Sequence, residues 1–508
     1  VCRYLAELGV SPEVIIEPTY GAGNFIMAAL RSFPAARLVY GVEIQEKYEW
    51  HLKTALLIDA LHGRRFTAEI VLRHDNVFTH TIPQEVLNAK NFLIVGNPPW
   101  ITNAELSTLV STNVPEKRNI KSLNGLDALT GKSNFDLGEF VLLRLLDVFA
   151  TKRGVLAMLC KNAVIKNIVE QLPQQRYPVA NIRALAIDAH REFGAAVEAS
   201  ALVMDLGASQ PAVTCAAASL DNPGRVTHIF GWTRDRFVSN VVEYESSAEL
   251  DGRSPFVWRQ GLKHDCKPIV ELDPRHGVLF NGNNEVVDVE EDRVYWLLKS
   301  SDLKNFEIDQ ARKKVIVTQR ALGEDTSLLR QTTPKLWAYL MNHAEYFERR
   351  KSSIYRGKPP FSIFGVGEYS FKPYKVAIAG LYKEPRFSLV LPIDARPVML
   401  DDTCYFVGFD SYVDALFTAA LLNSPLIIRF LRAIVFTDAK RPYTKEILMR
   451  VDLVRVATRV SFQMLRAFWE DMDFQPCESV AESDYEAYRQ RCLYAGKSEQ
   501  DLQLGFGL

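Results

Sequence analysis

The chain is poor in the features that hold small secreted or metal-built domains together. Its seven cysteines, at positions 2, 160, 215, 266, 404, 477 and 492, form no C-x-x-C pair and no metal-ligand spacing. That excludes a disulfide or zinc framework and points to a reducing, cytoplasmic setting with no bound metal. No apolar run approaches the ~20 residues of a membrane span, and no signal peptide is visible, so no membrane partner is expected. Charge of one sign is not in excess: 60 Lys and Arg against 61 Asp and Glu give a net charge of -1. A surface for nucleic acid must then be a local basic patch balanced by acid elsewhere. The G-x-G-x-x-G of dinucleotide enzymes is missing, because no third glycine follows Gly21 and Gly23 at the required place. Internal repeats and low-complexity tracts are missing too.

What is present is an ordinary globular composition, 48% hydrophobic and 24% charged over 508 residues. That length exceeds one core, so two or more domains are expected. The chain opens inside an apparent helix, Val1 to Gly9, and residues upstream of it are expected. From Val14 to Leu206 apolar strands alternate with helices. The strands are Val14-Ile16, Leu38-Glu43, Glu69-Arg73, Phe92-Gly96, Gly154-Cys160, Arg183-Asp188 and Ala201-Leu206. The helices are Asn24-Phe33, Gln45-Leu61, Phe135-Ala150 and Ala163-Gln171. Such alternation implies an α/β domain with a mostly parallel sheet covered on both faces. Between Ile101 and Ser133 the periodicity stops, leaving either a substrate-side lid or a solvated insertion.

Two stretches carry the chemistry, each after a buried strand. Glu17-Pro18-Thr19-Tyr20-Gly21-Ala22-Gly23-Asn24-Phe25 joins a carboxylate to a tight glycine turn that lets a ligand approach the backbone. About twenty positions on, the next strand ends in Glu43, where a carboxylate can accept two hydrogen bonds from a ribose diol. The third strand ends in Arg73-His74-Asp75-Asn76-Val77-Phe78; Asp75 could accept from an adenine amino group while Phe78 packs beside the ring. Asn97-Pro98-Pro99-Trp100 ends the fourth strand. An exocyclic amine on adenine is a poor nucleophile because its lone pair is delocalised. The Asn97 side-chain oxygen and the Pro98 carbonyl can accept its two N–H bonds, localising the lone pair and stabilising the positive charge that grows on nitrogen. Trp100 offers a face for an unpaired base.

Residues 14 to 206 resemble the catalytic domain of the gamma class of DNA amino-methyltransferases, in which the cofactor motif precedes the catalytic motif and a target-recognition domain follows. The resemblance implies a class I methyltransferase fold, a Rossmann-like seven-stranded sheet, with S-adenosylmethionine as cofactor. It places Glu17, Gly21 and Gly23 at the cofactor's methionine end, Glu43 at the ribose, and Asp75 and Phe78 at the adenine. Pro18, Phe25, Ile44, Asn76 and Asn97 complete the implied cofactor contacts. Asn97, Pro98, Pro99 and Trp100 would form the active site. Phe193, in Arg191-Glu192-Phe193-Gly194, resembles the aromatic that sandwiches the flipped base. Glu17 stands where Asp is commoner, Trp100 where Tyr or Phe is, and the family's N-terminal helix motif is cut by the start of the chain. Asn-Pro-Pro favours adenine N6; cytosine N4 enzymes usually carry Ser first.

Composition shifts after Leu206. The expected division is a catalytic domain over 1–207, a linker over 208–227, an α+β target-recognition domain over 228–453 and a helical tail over 454–508. In the second region strands are expected at Lys314-Gln319, Val376-Ala379, Phe387-Leu391 and Tyr405-Phe409, and helices at Pro334-Arg350 and Tyr412-Leu422. Phe347 to Lys375 is basic and aromatic, and Arg349, Arg350, Lys351, Arg356 and Lys358 are its candidate DNA contacts. Trp258 to His264 and Gln319-Arg320 are further candidates, whereas Asp401-Asp402 reads as a turn rather than a nuclease site. The partners expected are double-stranded DNA and a separate restriction endonuclease or defence-system subunit. Two other readings stay open: a methyltransferase of RNA or protein glutamine, and a recognition subunit with an inactive methylase fold.

Overall fold

The computed structural model describes residues 1–100, 136–193 and 198–504, so the expected lid at 101–133 lies outside them. The chain divides into two units, Val1–Val242 and Glu243–Leu508.

The first unit is a ten-stranded sheet. In chain order its strands are β1 (Val14–Glu17), β2 (Leu38–Glu43), β3 (Glu69–His74), β4 (Phe92–Gly96), β5 (Gly154–Lys161), β6 (Val179–Ile187), β7 (Ala199–Leu206), β8 (Thr214–Ser219), β9 (His228–Thr233) and β10 (Arg236–Val238). The helices are α1 (Cys2–Glu7), α2 (Asn24–Ser32), α3 (Glu46–Leu61), α4 (Gln84–Leu87), α5 (Leu137–Phe149), α6 (Asn162–Gln175) and α7 (Ala189–Phe193). The spatial order is β3-β2-β1-β4-β5-β7-β6-β8-β9-β10. β1 to β5 run parallel, and β7 lies antiparallel between β5 and β6. The first seven strands thus make the class I methyltransferase sheet. β1, β2 and β4 are buried along their whole length, which is why they read as unbroken apolar runs. The strand order reverses between β1 and β4, and a ligand crevice forms outside the carboxyl ends of strands at such a switch point.

Two expected boundaries are corrected. Residues 208–227 are not a linker: β8 pairs in parallel with β6, and β9 pairs with β8. The run of small residues Ala216-Ala217-Ala218 lacks the bulk that marks a strand, yet it pairs with Arg183 to Leu185. The tail beyond 453 is helical but not separate. Phe417 of the helix Tyr412–Leu422 meets the rings of Trp469, Tyr485 and Tyr488 at 6.2, 5.0 and 5.6 Å, so the last helices close the core of the second unit.

The second unit is α+β with two five-stranded sheets. One centres on Tyr374–Ala379, flanked by Cys404–Phe409 and Phe387–Val390; the other on Lys313–Ile316, flanked by Glu271–Arg275 and Val294–Leu298. Edge strands of two or three residues, such as Glu307–Ile308 and Val278–Phe280, are too short to show a period in sequence. The helix expected over 334–350 is two, Pro334–Asn342 and Ala344–Glu348, broken at His343. Among the described residues no single helix is long and apolar enough to cross a membrane.

Lys375 lies fully inside the first of these sheets, its Nζ donating to the Lys372 carbonyl at 2.6 Å. Burial pulls its pKa down from 10.5 to about 7. Between these values the unfolded chain holds a proton that the folded chain does not, so stability should fall as pH drops from 10.5 towards 7 and level off below it. Lys375→Met should remove that component of the slope and stabilise the protein at neutral pH. Urea unfolding of both proteins across this range checks it, and identical slopes would rule it out.

Candidate active site

The turn from β1 into α2 is set by two glycines with positive φ, Gly21 (49°) and Gly23 (81°). Gly23 caps α2 at a φ that strains any residue with a Cβ, and a Cβ there would stand 2.5 Å from Leu52 Cδ1, which would have to shift. Glu17 is buried beneath the turn, and its Oε2 accepts the Ile26 N–H at 2.9 Å. Burial pushes its carboxyl well above the usual carboxylate range, against the pull of that hydrogen bond.

Glu43, at the end of β2, fastens the turn from the other side. Its Oε2 accepts the Gly21 N–H and its Oε1 the Gln45 N–H, both at 2.9 Å. Each oxygen keeps a second lone-pair direction for a ligand hydroxyl. At the end of β3, Asp75 accepts from His80 Nδ1 at 2.6 Å and from the Asn76 N–H at 2.7 Å, bonds that hold its carboxyl below the usual range. His80 is itself fixed by the Tyr40 hydroxyl at 2.9 Å and by Arg144, which donates to its carbonyl at 2.6 Å. Asn76 turns the chain by accepting the Phe78 N–H at 3.0 Å, and Phe78 stands edge-on to Phe140 at 5.1 Å.

These strand ends enclose one cavity of about 520 Å³. Of the cofactor residues expected from sequence, Pro18, Gly21, Glu43, Ile44, Asp75, Asn76, Phe78 and Asn97 line it, together with the active-site Pro99. Glu17, Gly23 and Phe25 do not line it: the first two shape the turn, and Phe25 packs on the sheet core. Pro98 is buried behind the wall, and Trp100 packs against the core cluster with its indole N–H 3.4 Å from the Leu159 carbonyl. Phe193 ends α7, but its side chain lies outside the described residues.

Sequence reasoning missed Thr19, Gln45, Tyr48, Val77 and Leu137 in the cavity wall. Tyr48 follows Glu43 by one helical turn plus a link, a signal that could have been read. Leu137 could not: it falls inside the helix expected over 135–150, but nothing local says that this end of the helix faces the cavity. There Asp136 accepts the Gly138 N–H at 2.9 Å and pairs with Lys161 at 2.8 Å. The Asn97 Oδ1 and the Thr19 Oγ1 are both buried without a hydrogen-bond partner. A buried acceptor without any donor costs ~1–3 kcal/mol, which the N–H or O–H of a ligand would recover.

Among the second-unit candidates, Arg350 is corrected. Its guanidinium donates to the Phe347, Ser362 and His264 carbonyls at 2.9, 2.7 and 3.3 Å and stacks on Tyr355 at 3.7 Å, so it is an internal brace. Arg349 is exposed but pairs with Glu345 at 2.7 Å. Lys351, Arg356 and Lys358 are exposed. Trp258, Leu262, His264 and Gln319 are buried and cannot form a surface, while Thr403 caps Asp401 in the expected turn.

The type II methyltransferase M.NspV of Nostoc sp. is 37% identical over 454 residues, covering 89% of this chain and 93% of its own. The chain belongs to the type II methyltransferases. The type IIL restriction-modification enzyme MmeI, solved in complex with DNA, shares the fold at 13% identity, with a TM-score of 0.55 over 98% of this chain and 70% of MmeI. No family model matches the chain. Methyltransferases on this sheet take S-adenosylmethionine, and the cavity suits that group: carboxylates for its hydroxyl and amino hydrogens, Phe78 for a ring, and two dry polar atoms beside the glycine turn.

Glu43→Gln should weaken S-adenosylmethionine binding by ~1–3 kcal/mol, since an amide cannot accept at both ends. Calorimetry measures this directly. Unchanged affinity would leave Glu43 as only a clamp on the Gly21 turn.

Proposed function

We propose that this type II methyltransferase modifies duplex DNA at a specific site, transferring the methyl of S-adenosylmethionine to the N6 amino group of an adenine flipped out of the helix. The observation that carries the reading is the buried, unpartnered Asn97 Oδ1 in the wall of the cavity. When bound, S-adenosylmethionine supplies a methyl group on a sulfonium. Glu43 and Asp75 hold the cofactor's ribose and adenine, and the Gly21 turn meets its methionine end. Asn97 accepts one amino proton of the target base and the Pro98 carbonyl the other, which frees the nitrogen lone pair for attack. Trp100 and Phe193 form the faces that receive the base. Positioning supplies much of the rate, and no metal or covalent nucleophile takes part. Lys351, Arg356 and Lys358, with Arg349, contact phosphates, and a separate restriction endonuclease cuts the unmodified site.

The extended second unit supports DNA over RNA or a protein glutamine amide, the substrates of the second reading. Transfer of tritiated methyl to duplex DNA, RNA and protein separates them. Asn97→Ala should abolish transfer while leaving cofactor affinity nearly intact; near-normal turnover in that variant would sink the assignment. Replacing Lys351, Arg356 and Lys358 together by Ala should weaken cognate and random duplexes alike, and should reduce the salt slope of log K by ~0.9 for each phosphate no longer neutralised. Titrations at several salt concentrations read both effects, and an unmoved slope would remove these residues from the interface.

A further inference from the structure

Two loops of the second unit are joined to each other by side-chain hydrogen bonds. The first follows the strand Lys313–Ile316. In it Glu324 accepts the Arg320 and Ala321 N–H groups at 2.5 and 3.1 Å, and Gln319 Nε2 donates to the Ala321 carbonyl at 2.8 Å. Gly323 completes the turn at a φ of +83°. The tip that this clamp presents is Leu322, 63% exposed. The second loop is the basic one, carrying Lys351, Arg356 and Lys358, and Arg350 braces its base from inside. Three side-chain bonds join the loops. Thr318 donates to the Phe361 carbonyl at 2.9 Å, Gln319 accepts the Ile363 N–H at 3.2 Å, and Thr326 donates to the Pro360 carbonyl.

A lone exposed leucine is ordinary. A leucine held at the tip of a clamped loop, which is bonded in turn to a loop carrying exposed cations, is a different object. The clamp fixes the backbone that carries this side chain, which stands 63% exposed. A rigid apolar tip loses little conformational entropy when it enters a tight slot. The cations of the joined loop would bring the phosphates of a duplex close, and an apolar side chain carried with them can enter a base step and unstack it. Base flipping also leaves a gap in the stack that an apolar group can fill.

We propose that Leu322 is a wedge: it inserts between base pairs of the bound duplex while Lys351, Arg356 and Lys358 hold the adjoining phosphates. The inference rests on the reading that this chain modifies DNA. The wedge is positioned by Glu324 and Gln319, and it contributes to recognition of the site through the cost of unstacking rather than through hydrogen bonds to base edges.

The test uses the full chain with S-adenosylmethionine's demethylated product and the duplex found by sequencing methylated DNA from cells that express it. 2-Aminopurine is placed at each position of that duplex in turn. With the wild type, fluorescence should rise at a step outside the modified base as well as at the base itself. Leu322→Ala should lose the outside signal and bind the cognate duplex ~10-fold more weakly, with random duplex changed less than ~2-fold. Leu322→Phe should keep both the signal and the affinity. Cofactor affinity and thermal unfolding should not change, since Leu322 touches neither core nor cavity. Wild-type fluorescence and affinity in Leu322→Ala would overturn the wedge while leaving DNA modification standing. Failure of the wild type to bind any duplex would overturn both.

Discussion

The Glu43 carboxylate is the constraint on which the first unit's site depends. One oxygen holds the Gly21 N–H and the other the Gln45 N–H, so a single planar group ties the β1 turn to the start of α3. Without it, the turn would keep only the Glu17 bond to the Ile26 N–H and its glycines, the residue type that loses most entropy when fixed. The same carboxylate faces the cavity. Its backbone bonds leave it preorganised for a ligand, so little further ordering is needed on binding. Asp75 repeats the device one strand away with His80 and Tyr40 behind it. The cavity is therefore walled by acids whose geometry is already fixed by the protein.

Much of this was legible because buried parallel strands write themselves as continuous apolar runs. Val14 to Ile16, Leu38 to Glu43 and Phe92 to Gly96 all fall where the sequence puts them, so their end residues, Glu17, Glu43 and Asn97, fall on one sheet edge. What could not be read has two physical sources. Small side chains, as in Ala216 to Ala218, pair as well as large ones but leave no hydrophobic signature. Long-range contacts leave none at all: nothing local says that Leu137 closes the cavity opposite Tyr48.

The second unit shows the complementary limit. Charge is visible in a sequence, but the partner that neutralises or fixes it is not. Arg349, Arg350 and Lys351 are adjacent and chemically alike, yet the first pairs with Glu345, the second is half-buried and bonded to carbonyls, and the third is exposed. A guanidinium can satisfy several carbonyls at once and stack on a ring, which an ammonium cannot, and that makes Arg350 suited to bracing a loop. The basic patch is thus part scaffold and part surface.

Asn97 carries the remaining step. A folded protein normally satisfies its buried acceptors, and the fold had ready means to do so here, since one donor from the N-terminus of α5 would suffice. Instead the Gly138 amide of that helix end is taken up by Asp136, which Lys161 in turn neutralises. One helix donor is thus spent on its own cap, and the Asn97 oxygen, in the cavity wall, has no hydrogen-bond partner within the protein. An acceptor kept unpaired at a cost in stability, beside a wall of oriented acids, is what a site needs if it is to draw a proton-bearing nitrogen into place, because the desolvation cost is recovered only when that nitrogen arrives.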